Sequence, residues 1–209
     1  MARGAFIVIE GCDRSGKSTQ CKLLVQGLNN SGIKAKNISF PDRSTEIGKV
    51  IDSYLTKKIE LPDQAIHLLF SANRWELNDM MKQQLEDGTT LVVDRYSYSG
   101  VAYSASKSTH NMDIEWFKAP EMGLLKPDAV FFLHLDNDVA KQRNGFGKER
   151  YENKDIQNRV AKFFKSFEKF DEWQVIDANK TVDQLRDQLM TLAKNLIEEK
   201  KSKSLNVLW

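Results

Sequence analysis

The sequence has few of the residues that would indicate a disulfide-stabilised, linker-rich or membrane-spanning protein. Its 209 residues include only two cysteines and four prolines, so neither a disulfide framework nor a proline-rich linker is expected. No apolar run approaches the roughly 18 residues that a membrane-spanning helix needs, and residues 1–4 do not begin a signal-peptide core. We therefore expect Cys12 and Cys21 to be free thiols in an intracellular protein.

The chain also lacks a strong excess of charge of either sign. It has 31 basic and 29 acidic side chains, a formal net charge of +2, whereas proteins that bind nucleic acid more often have a strong basic excess. We expect neither a nucleic-acid nor a membrane partner. The length suits one domain spanning residues 1–209. A cytoplasmic location is expected, with the nucleus and organelles open as alternatives.

Short apolar runs alternate with amphipathic stretches, a pattern typical of βαβ units and a parallel sheet. Several of the apolar runs are continuous, as expected when helices cover both faces of the sheet. Helical spacing of apolar residues is clearest in three stretches, residues 21–28, 66–81 and 182–196. The predicted strands are residues 5–9, 35–39, 90–93, 129–135 and 174–176.

The stretch IEGCDRSGKST, residues 9–19, contains the Gly-x4-Gly-Lys-Ser pattern of a phosphate-binding loop between a predicted strand and a predicted helix. Its glycines allow backbone N–H groups to turn towards phosphate oxygens, and the following helix N-terminus adds a favourable dipole. Lys17 is expected to reach the outer phosphates, and Ser18 to place its hydroxyl on Mg²⁺. The predicted ATP-binding residues of the loop are Gly11, Asp13, Arg14, Ser15, Gly16, Lys17, Ser18 and Thr19.

A second element of such sites is an acid that ends a buried strand, and the stretch TLVVDRY provides Asp94. Asp94 is expected to hold or orient the magnesium shell together with Ser18. The alternative is a helix cap, a common role for aspartate at a strand end. The predicted cofactor is Mg²⁺, with ATP as the phosphate donor.

A phosphate-binding loop alone leaves the function open, because motors, switches and kinases share it. A guanine-nucleotide switch would carry an Asn-Lys-x-Asp motif. The stretch NKTVD, residues 179–183, has one residue too many. We interpret it as a coincidence at the start of a helix.

Arginines at the apparent ends of strands or on predicted helix faces near the loop indicate a second anion site. Ligands of open parallel sheets bind at these ends, and arginine suits a two-pronged grip on phosphate. Each could instead be a solvated surface residue, but together they suggest a phosphate site opposite the ATP. The four are Arg14, Arg43, Arg74 and Arg95.

Phe70 and Arg74 are four residues apart and therefore neighbours on one helix face. An aromatic ring one turn from a guanidinium could hold a flat base with exocyclic oxygens. Core packing is the alternative role for Phe70.

Six blocks together resemble the thymidylate kinases of the eukaryotic and poxvirus type, in register from about residue 5 to residue 180. The resemblance implies a P-loop NTPase three-layer α/β fold, with a five-stranded parallel sheet flanked by helices and a short lid at about residues 143–150. It implies transfer of the ATP γ-phosphate to dTMP, and a homodimer. The blocks are EGCDRSGKSTQ, FPDRSTEIGK, LLFSANRWE, LVVDRYSYSGVAYS, PEMGLLKPD and GFGKERYEN.

The resemblance also implies residue roles. Arg14 would contact the transferred γ-phosphate, Asp13 would hold the 3′-hydroxyl of the acceptor sugar, and Arg143 would lie near adenine. Arg43 and Arg95 would bind the acceptor phosphate. The implied catalytic residues are Arg14, Lys17, Asp94 and Arg95; the implied dTMP-binding residues are Asp13, Phe40, Arg43, Phe70, Arg74, Arg95, Ser99, Gly100, Tyr103, Tyr151 and Gln157.

The sequence leaves two alternatives to the transfer of phosphate to dTMP. One is another pyrimidine nucleoside monophosphate kinase on the same fold, acting on UMP or CMP; the Phe70–Arg74 pair and Tyr103, which would crowd a ribose 2′ position, favour dTMP. The other is a non-catalytic nucleotide-binding switch, which needs no second phosphate site.

Overall fold

An all-parallel sheet organises the computed structural model, which describes residues 2–107, 113–136, 149–151 and 153–209. Its strand order is β2-β3-β1-β4-β5. The predicted α/β class is confirmed, and each predicted strand is present with its ends shifted by no more than one residue. The strands are β1 Phe6–Glu10, β2 Ala35–Ser39, β3 Thr90–Asp94, β4 Ala129–His134 and β5 Trp173–Asp177.

The helices include all three that the apolar spacing predicts and others that it does not. Along the described ranges, none is long and apolar enough to cross a membrane. The helices are α1 Lys17–Asn30, α2 Glu46–Leu55, α3 Asp63–Glu86, α4 Ser97–Lys107, α5 Ile114–Lys118 with a 3₁₀ turn at Ala119–Glu121, α6 Lys154–Lys165 and α7 Val182–Lys200.

Helix α4 gives no amphipathic signal because neighbours surround it. Nine of its eleven residues are buried, and many of these are serine, glycine or alanine. A helix enclosed on all sides needs small side chains more than it needs an apolar stripe. Helical periodicity therefore does not reveal it.

The continuous apolar run of β1 serves two separate cores. Phe6 and Val8 pack into the core on one face of the sheet. Ile7 and Ile9 pack on the other face, with Leu24 of α1. Successive side chains of a strand point to opposite faces, so a strand that is covered on both sides must be apolar throughout.

The order of the strands places the loop after β1 in a crevice. In the parallel pairing, Ile9 lies beside Asp94, so β1 and β3 end at the same edge of the sheet. The chain builds β2 and β3 on one side of β1 and then crosses to β4 on the other. Such a switch point is where open parallel sheets bind ligands.

Helix α7 starts with a capping box that can be tested. The Thr181 hydroxyl accepts from the Gln184 N–H at 3.2 Å, and the Gln184 side chain accepts from the Thr181 N–H at 3.2 Å. We expect Thr181→Ala to lower the free energy of unfolding by about 1 kcal/mol. That corresponds to a fall of roughly 2–4 °C in melting temperature for a chain of this size.

The matched control for that measurement is Thr191→Ala, since Thr191 is also exposed on α7. Its hydroxyl donates to the helix's own Asp187 carbonyl, and alanine is the better helix former. We expect no loss of stability in this control. Equal losses in the two variants would show that the capping box contributes nothing.

Candidate active site

A cavity of about 510 Å³ opens at the carboxyl ends of β1, β2 and β3. One wall is the phosphate-binding loop, and the opposite wall comes from α3, α4 and the segment after β2. Most of the predicted site residues meet there. Those lining it are Asp13, Arg14, Gly16, Lys17, Ser18, Thr19, Phe40, Arg43, Phe70, Arg74, Asp94, Arg95, Ser99, Gly100, Tyr103 and Tyr151.

Other predicted site residues lie elsewhere. Gly11 lies under the loop, where a Cβ would come within 2.8 Å of the Leu133 carbonyl oxygen. Ser15 is buried in the loop. Arg143, with most of the predicted lid, lies outside the described residues. Of that lid only residues 149 and 150 are described, and Glu149 lines the cavity.

The loop presents a helix N-terminus that no described side chain caps. Gly16 has a left-handed φ of 94°, and α1 begins directly after it at Lys17. A helix start of this kind offers its first N–H groups and its dipole to an anion. The Lys17 ammonium donates to the Cys12 carbonyl at 2.8 Å. Burial, with a smaller effect of Arg95, lowers the pKa of Lys17 to about 8.

Ser18 and Asp94 form an oxygen pair at the base of the cavity. The Ser18 hydroxyl donates to Asp94 Oδ2, while Asp94 Oδ1 is buried and has no hydrogen-bond partner among the described residues. Within the described ranges no cluster of three or more His, Cys, Asp or Glu could hold a metal by itself. One carboxylate and one hydroxyl suit Mg²⁺, which keeps several waters and takes its other ligands from phosphates.

Asp13 joins the loop to three other elements. Its carboxylate pairs with Arg95 and accepts from the Tyr103 hydroxyl at 3.2 Å and from the Gln157 amide at 2.7 Å. The Asp13 N–H donates back to Gln157 at 3.1 Å. Gln157 of α6 therefore holds Asp13 in place through two hydrogen bonds, one to its backbone N–H and one to its carboxylate.

Glu10 is a site residue that the sequence analysis missed. It is fully buried at the end of β1. Its carboxylate accepts from the N–H groups of Tyr96 and Ser99 at 2.9 and 3.0 Å and from the Ser99 hydroxyl at 2.6 Å. It thus caps α4 from a neighbouring strand, where a negative charge is favourable. Burial raises the pKa of Glu10, and Arg95 opposes that shift. The feature of the sequence that could have indicated Glu10 is an acidic residue at the end of an apolar run.

Arg43 is held by two carboxylates at the cavity's rim. Its guanidinium lies 2.6 Å from Asp52 and 2.8 Å from Glu149, and the arginine side chain is 41% exposed. Ion pairs this exposed contribute little to stability. Arg43 can therefore exchange these partners for a phosphate at small cost.

Arg74 is held differently. It is 3% exposed, and its guanidinium forms a two-pronged ion pair with Glu121, which is fully buried. Glu121 offsets the charge of Arg74, so this arginine is less available to a substrate phosphate than Arg43 is.

Two site arginines have left-handed backbones, Arg14 with φ 71° and Arg95 with φ 64°. Such a conformation is uncommon for a side chain of this size and costs on the order of 1–2 kcal/mol. At Arg95 it ends β3 and turns the chain into α4. Retained strain of this kind is typical of functional positions.

Aromatic side chains form part of the lining of the cavity. The Tyr103 ring lies 5.1 Å from the Arg95 guanidinium and 5.5 Å from the Tyr151 ring. Phe40 contacts the buried ring of Tyr96 and precedes a cis peptide bond to Pro41. Aromatic side chains therefore provide apolar surface to a cavity that is otherwise lined by charged groups.

A family model described as thymidylate kinase matches residues 9–189. The chain belongs to the thymidylate kinase family. It is 46% identical over 209 residues to a human thymidylate kinase, covering 99% of this chain and 98% of the human one. An Arabidopsis thaliana thymidylate kinase is also 46% identical over 208 residues, which is 99% of this chain and 78% of that protein.

A solved structure agrees with this assignment. A thymidylate kinase from Candida albicans superposes with a TM-score of 0.90 at 40% identity, and each chain is covered completely. The eukaryotic type of the family is thus shown by both sequence and fold.

The lowered pKa of Lys17 predicts proton uptake when ATP binds. At pH 8.5 a group with a pKa of about 8 is mostly neutral, while bound phosphates favour the charged form and return the pKa towards 10.5. We expect an uptake of about 0.7 proton per nucleotide. ATP itself contributes little at this pH, because its last phosphate ionisation lies near 6.

Calorimetry in buffers of different ionisation enthalpy measures this uptake. Lys17→Arg is the control, since arginine stays charged and should show no uptake. A buffer-independent binding enthalpy in the unmodified protein would contradict the shifted pKa.

Proposed function

We propose that this protein transfers the γ-phosphate of ATP to dTMP, giving dTDP and ADP, a step in dTTP synthesis. The observation that carries the proposal is one cavity that brings together Lys17 of the loop, Arg95 beside it and Arg43 at the rim, enough cations for two phosphate-bearing substrates. Phe70 lines the same cavity. Membership of the thymidylate kinase family supports the same reaction.

The donor half of the site binds Mg·ATP. Lys17 and the N-terminus of α1 take the phosphates, and Ser18 and Asp94 hold the metal through their oxygens. Mg²⁺, when bound, neutralises charge on the β- and γ-phosphates. The buried Asp94 Oδ1, which has no hydrogen-bond partner among the described residues, supports this role.

The acceptor half holds dTMP by its phosphate, its sugar and its base. Arg43 and Arg95 bind its phosphate, Phe70 stacks on its base, and Asp13 receives the sugar 3′-hydroxyl. Arg74 donates to O4 of thymine. Tyr103, fixed over Arg95 and bonded to Asp13, occupies the place that a ribose 2′-hydroxyl would need.

The chemistry needs alignment and charge stabilisation more than proton transfer. The acceptor is already a phosphate anion, so no strong general base is required. Phosphoryl transfer spreads negative charge over the oxygens of the moving group. Arg14, in the loop and lining the cavity, stabilises that charge.

Parallel turnover assays with separate acceptors test the proposal. We expect ADP formation to be fastest with dTMP, slower with dUMP, and near zero with UMP, CMP, dGMP or no acceptor. The Candida albicans enzyme is described as broad in its substrate specificity, so thymidine monophosphate analogues belong in the panel. Preference for UMP or CMP would favour the alternative kinase, and consumption of ATP regardless of acceptor would favour a nucleotide-dependent switch.

Arg14 can be tested for strain and for catalysis with one pair of variants. We expect Arg14→Ala and Arg14→Gly to bind ADP within about threefold of the unmodified protein and to lose roughly 10³-fold or more in kcat. The glycine variant should be more stable than the alanine variant by about 0.5–1 kcal/mol. Glycine removes the left-handed strain but loses more chain entropy on folding.

Two results would contradict these expectations independently. Unchanged kcat would remove the catalytic role. Equal melting temperatures of the two variants would show that the left-handed strain is no larger than the extra chain entropy that glycine loses on folding.

We also propose a homodimer built on α2 and α3. Leu68 and Trp75 lie seven residues apart on one face of α3 and are 48% and 42% exposed, and Val50 of α2 is 39% exposed. Large exposed apolar side chains on one helix face are typical of protein interfaces. Apart from the dimer, we propose that residues 1–209 form one domain with a lid at about residues 143–150. We also propose a cytoplasmic location.

Light scattering after size-exclusion chromatography tests the dimer. We expect the mass of a dimer for the unmodified protein and of a monomer for Leu68→Glu, because a charge buried without a partner disfavours association. Val175→Glu is the matched control. Val175 is 51% exposed on β5 and should not affect the mass. A monomeric unmodified protein would overturn this proposal.

A further inference from the structure

Glu121 fixes the orientation of Arg74 at the acceptor end of the cavity. Glu121 Oε2 accepts from Arg74 Nε at 2.8 Å, and Glu121 Oε1 accepts from Arg74 Nη2. The Ser97 hydroxyl donates to Glu121 Oε2 at 2.8 Å. Glu121 is fully buried, so water cannot easily replace these contacts.

Helix α3 holds the Glu121 turn on both sides of Arg74. The Ser71 hydroxyl and the Trp75 indole N–H both donate to the Pro120 carbonyl, each at 2.8 Å. Ser71, Arg74 and Trp75 lie on one face of the helix at the i, i+3 and i+4 positions. Pro120 directly precedes Glu121, so the carboxylate has little freedom to move.

Gly100 of α4 leaves the space that the Arg74 guanidinium occupies. A Cβ at Gly100 would lie 2.5 Å from Arg74 Nη2 and 3.1 Å from Cζ. Contact this close is possible only for glycine, which explains a glycine inside α4. The guanidinium is thus confined between Glu121 and the α4 backbone.

The pairing determines which donors Arg74 has left. Arginine has five N–H donors and no acceptor, and Glu121 takes one on Nε and one on Nη2. Arg74 still lines the cavity, so its remaining donors are the ones available to a ligand. A keto oxygen can accept from them, whereas the amino group of cytosine would place donors against donors.

We propose that Glu121 is the positioning residue that makes this site select a keto-bearing pyrimidine over an amino-bearing one. Glu121 does not touch the acceptor; it acts by holding Arg74 in one orientation. The inference rests on the proposed function, because it assumes that the base of the acceptor lies against Arg74.

Steady-state kinetics of Glu121→Gln test the inference. The substitution keeps the shape of the side chain but removes the charge and one acceptor for the Arg74 donors. We expect KM for dTMP to rise about tenfold, KM for ATP to stay within twofold, and the preference for dTMP over dCMP in kcat/KM to fall about tenfold. A residue that only stabilises the fold would affect the KM values for dTMP and ATP alike and would leave the preference for dTMP over dCMP unchanged.

Asp128→Asn is the matched control for a buried ion pair. Asp128 pairs with Arg3 at 2.7 Å through both carboxylate oxygens, and the two side chains are 11% and 8% exposed. Neither residue lines the cavity. We expect this variant to lose stability without a change in KM for dTMP or in acceptor preference.

Ser97→Ala decides the matter if Glu121→Gln does not fold. It removes one contact to Glu121 and keeps the ion pair, so KM for dTMP should rise by a smaller factor, with KM for ATP unchanged. The inference would be overturned if KM for dTMP were unchanged in whichever variant folds. It would also be overturned if KM rose equally for dTMP and for ATP. Absence of dTMP turnover in the unmodified protein would instead contradict the proposed function.

Discussion

The concentration of positive charge in one partly buried cavity is the constraint on which the site depends. A kinase that binds two phosphate-bearing substrates side by side needs cations to offset the repulsion between the phosphates. Cations confined together, however, repel one another and are costly to desolvate. Burial and the neighbouring Arg95 lower the pKa of Lys17, as such confinement of cations requires. The fold meets this cost by giving the cations acceptors before any substrate binds, among them the Cys12 carbonyl for Lys17 and Asp13 for Arg95.

The carboxylates that hold these arginines are of two kinds. Asp52 and Glu149 hold Arg43 at the rim, where each carboxylate is about a third exposed, so a phosphate can displace them cheaply. Glu121 is fully buried, and separating it from Arg74 would leave an uncompensated charge, at a cost of roughly 3–5 kcal/mol. Exposure thus separates an arginine that can be transferred to a substrate phosphate from one that keeps its partner and uses its remaining donors to contact a base.

The sequence predicts the sheet and the phosphate-binding loop because both follow local rules. The apolar run of β1 and the spacing from Gly11 to Ser18 are visible without any tertiary contact. Glu121 is 47 residues from Arg74, and no local pattern in APEMG indicates a partner. Glu10 and the left-handed backbone of Arg95 were missed for a related reason, since a cap donated by a neighbouring strand and a strained φ arise only from the assembled fold. Helix α4 was missed because burial on all sides removes its periodicity.

A crystal structure with dTMP and a non-hydrolysable ATP analogue tests this division of the arginines most directly. The account predicts that Arg43 leaves Glu149 and contacts the acceptor phosphate, while Arg74 keeps both contacts to Glu121 and donates to O4 of the base through an Nη that Glu121 does not use. An Arg74 that has left Glu121 to contact a phosphate, or an Arg43 still bound to both carboxylates while the acceptor phosphate lies elsewhere, would contradict it.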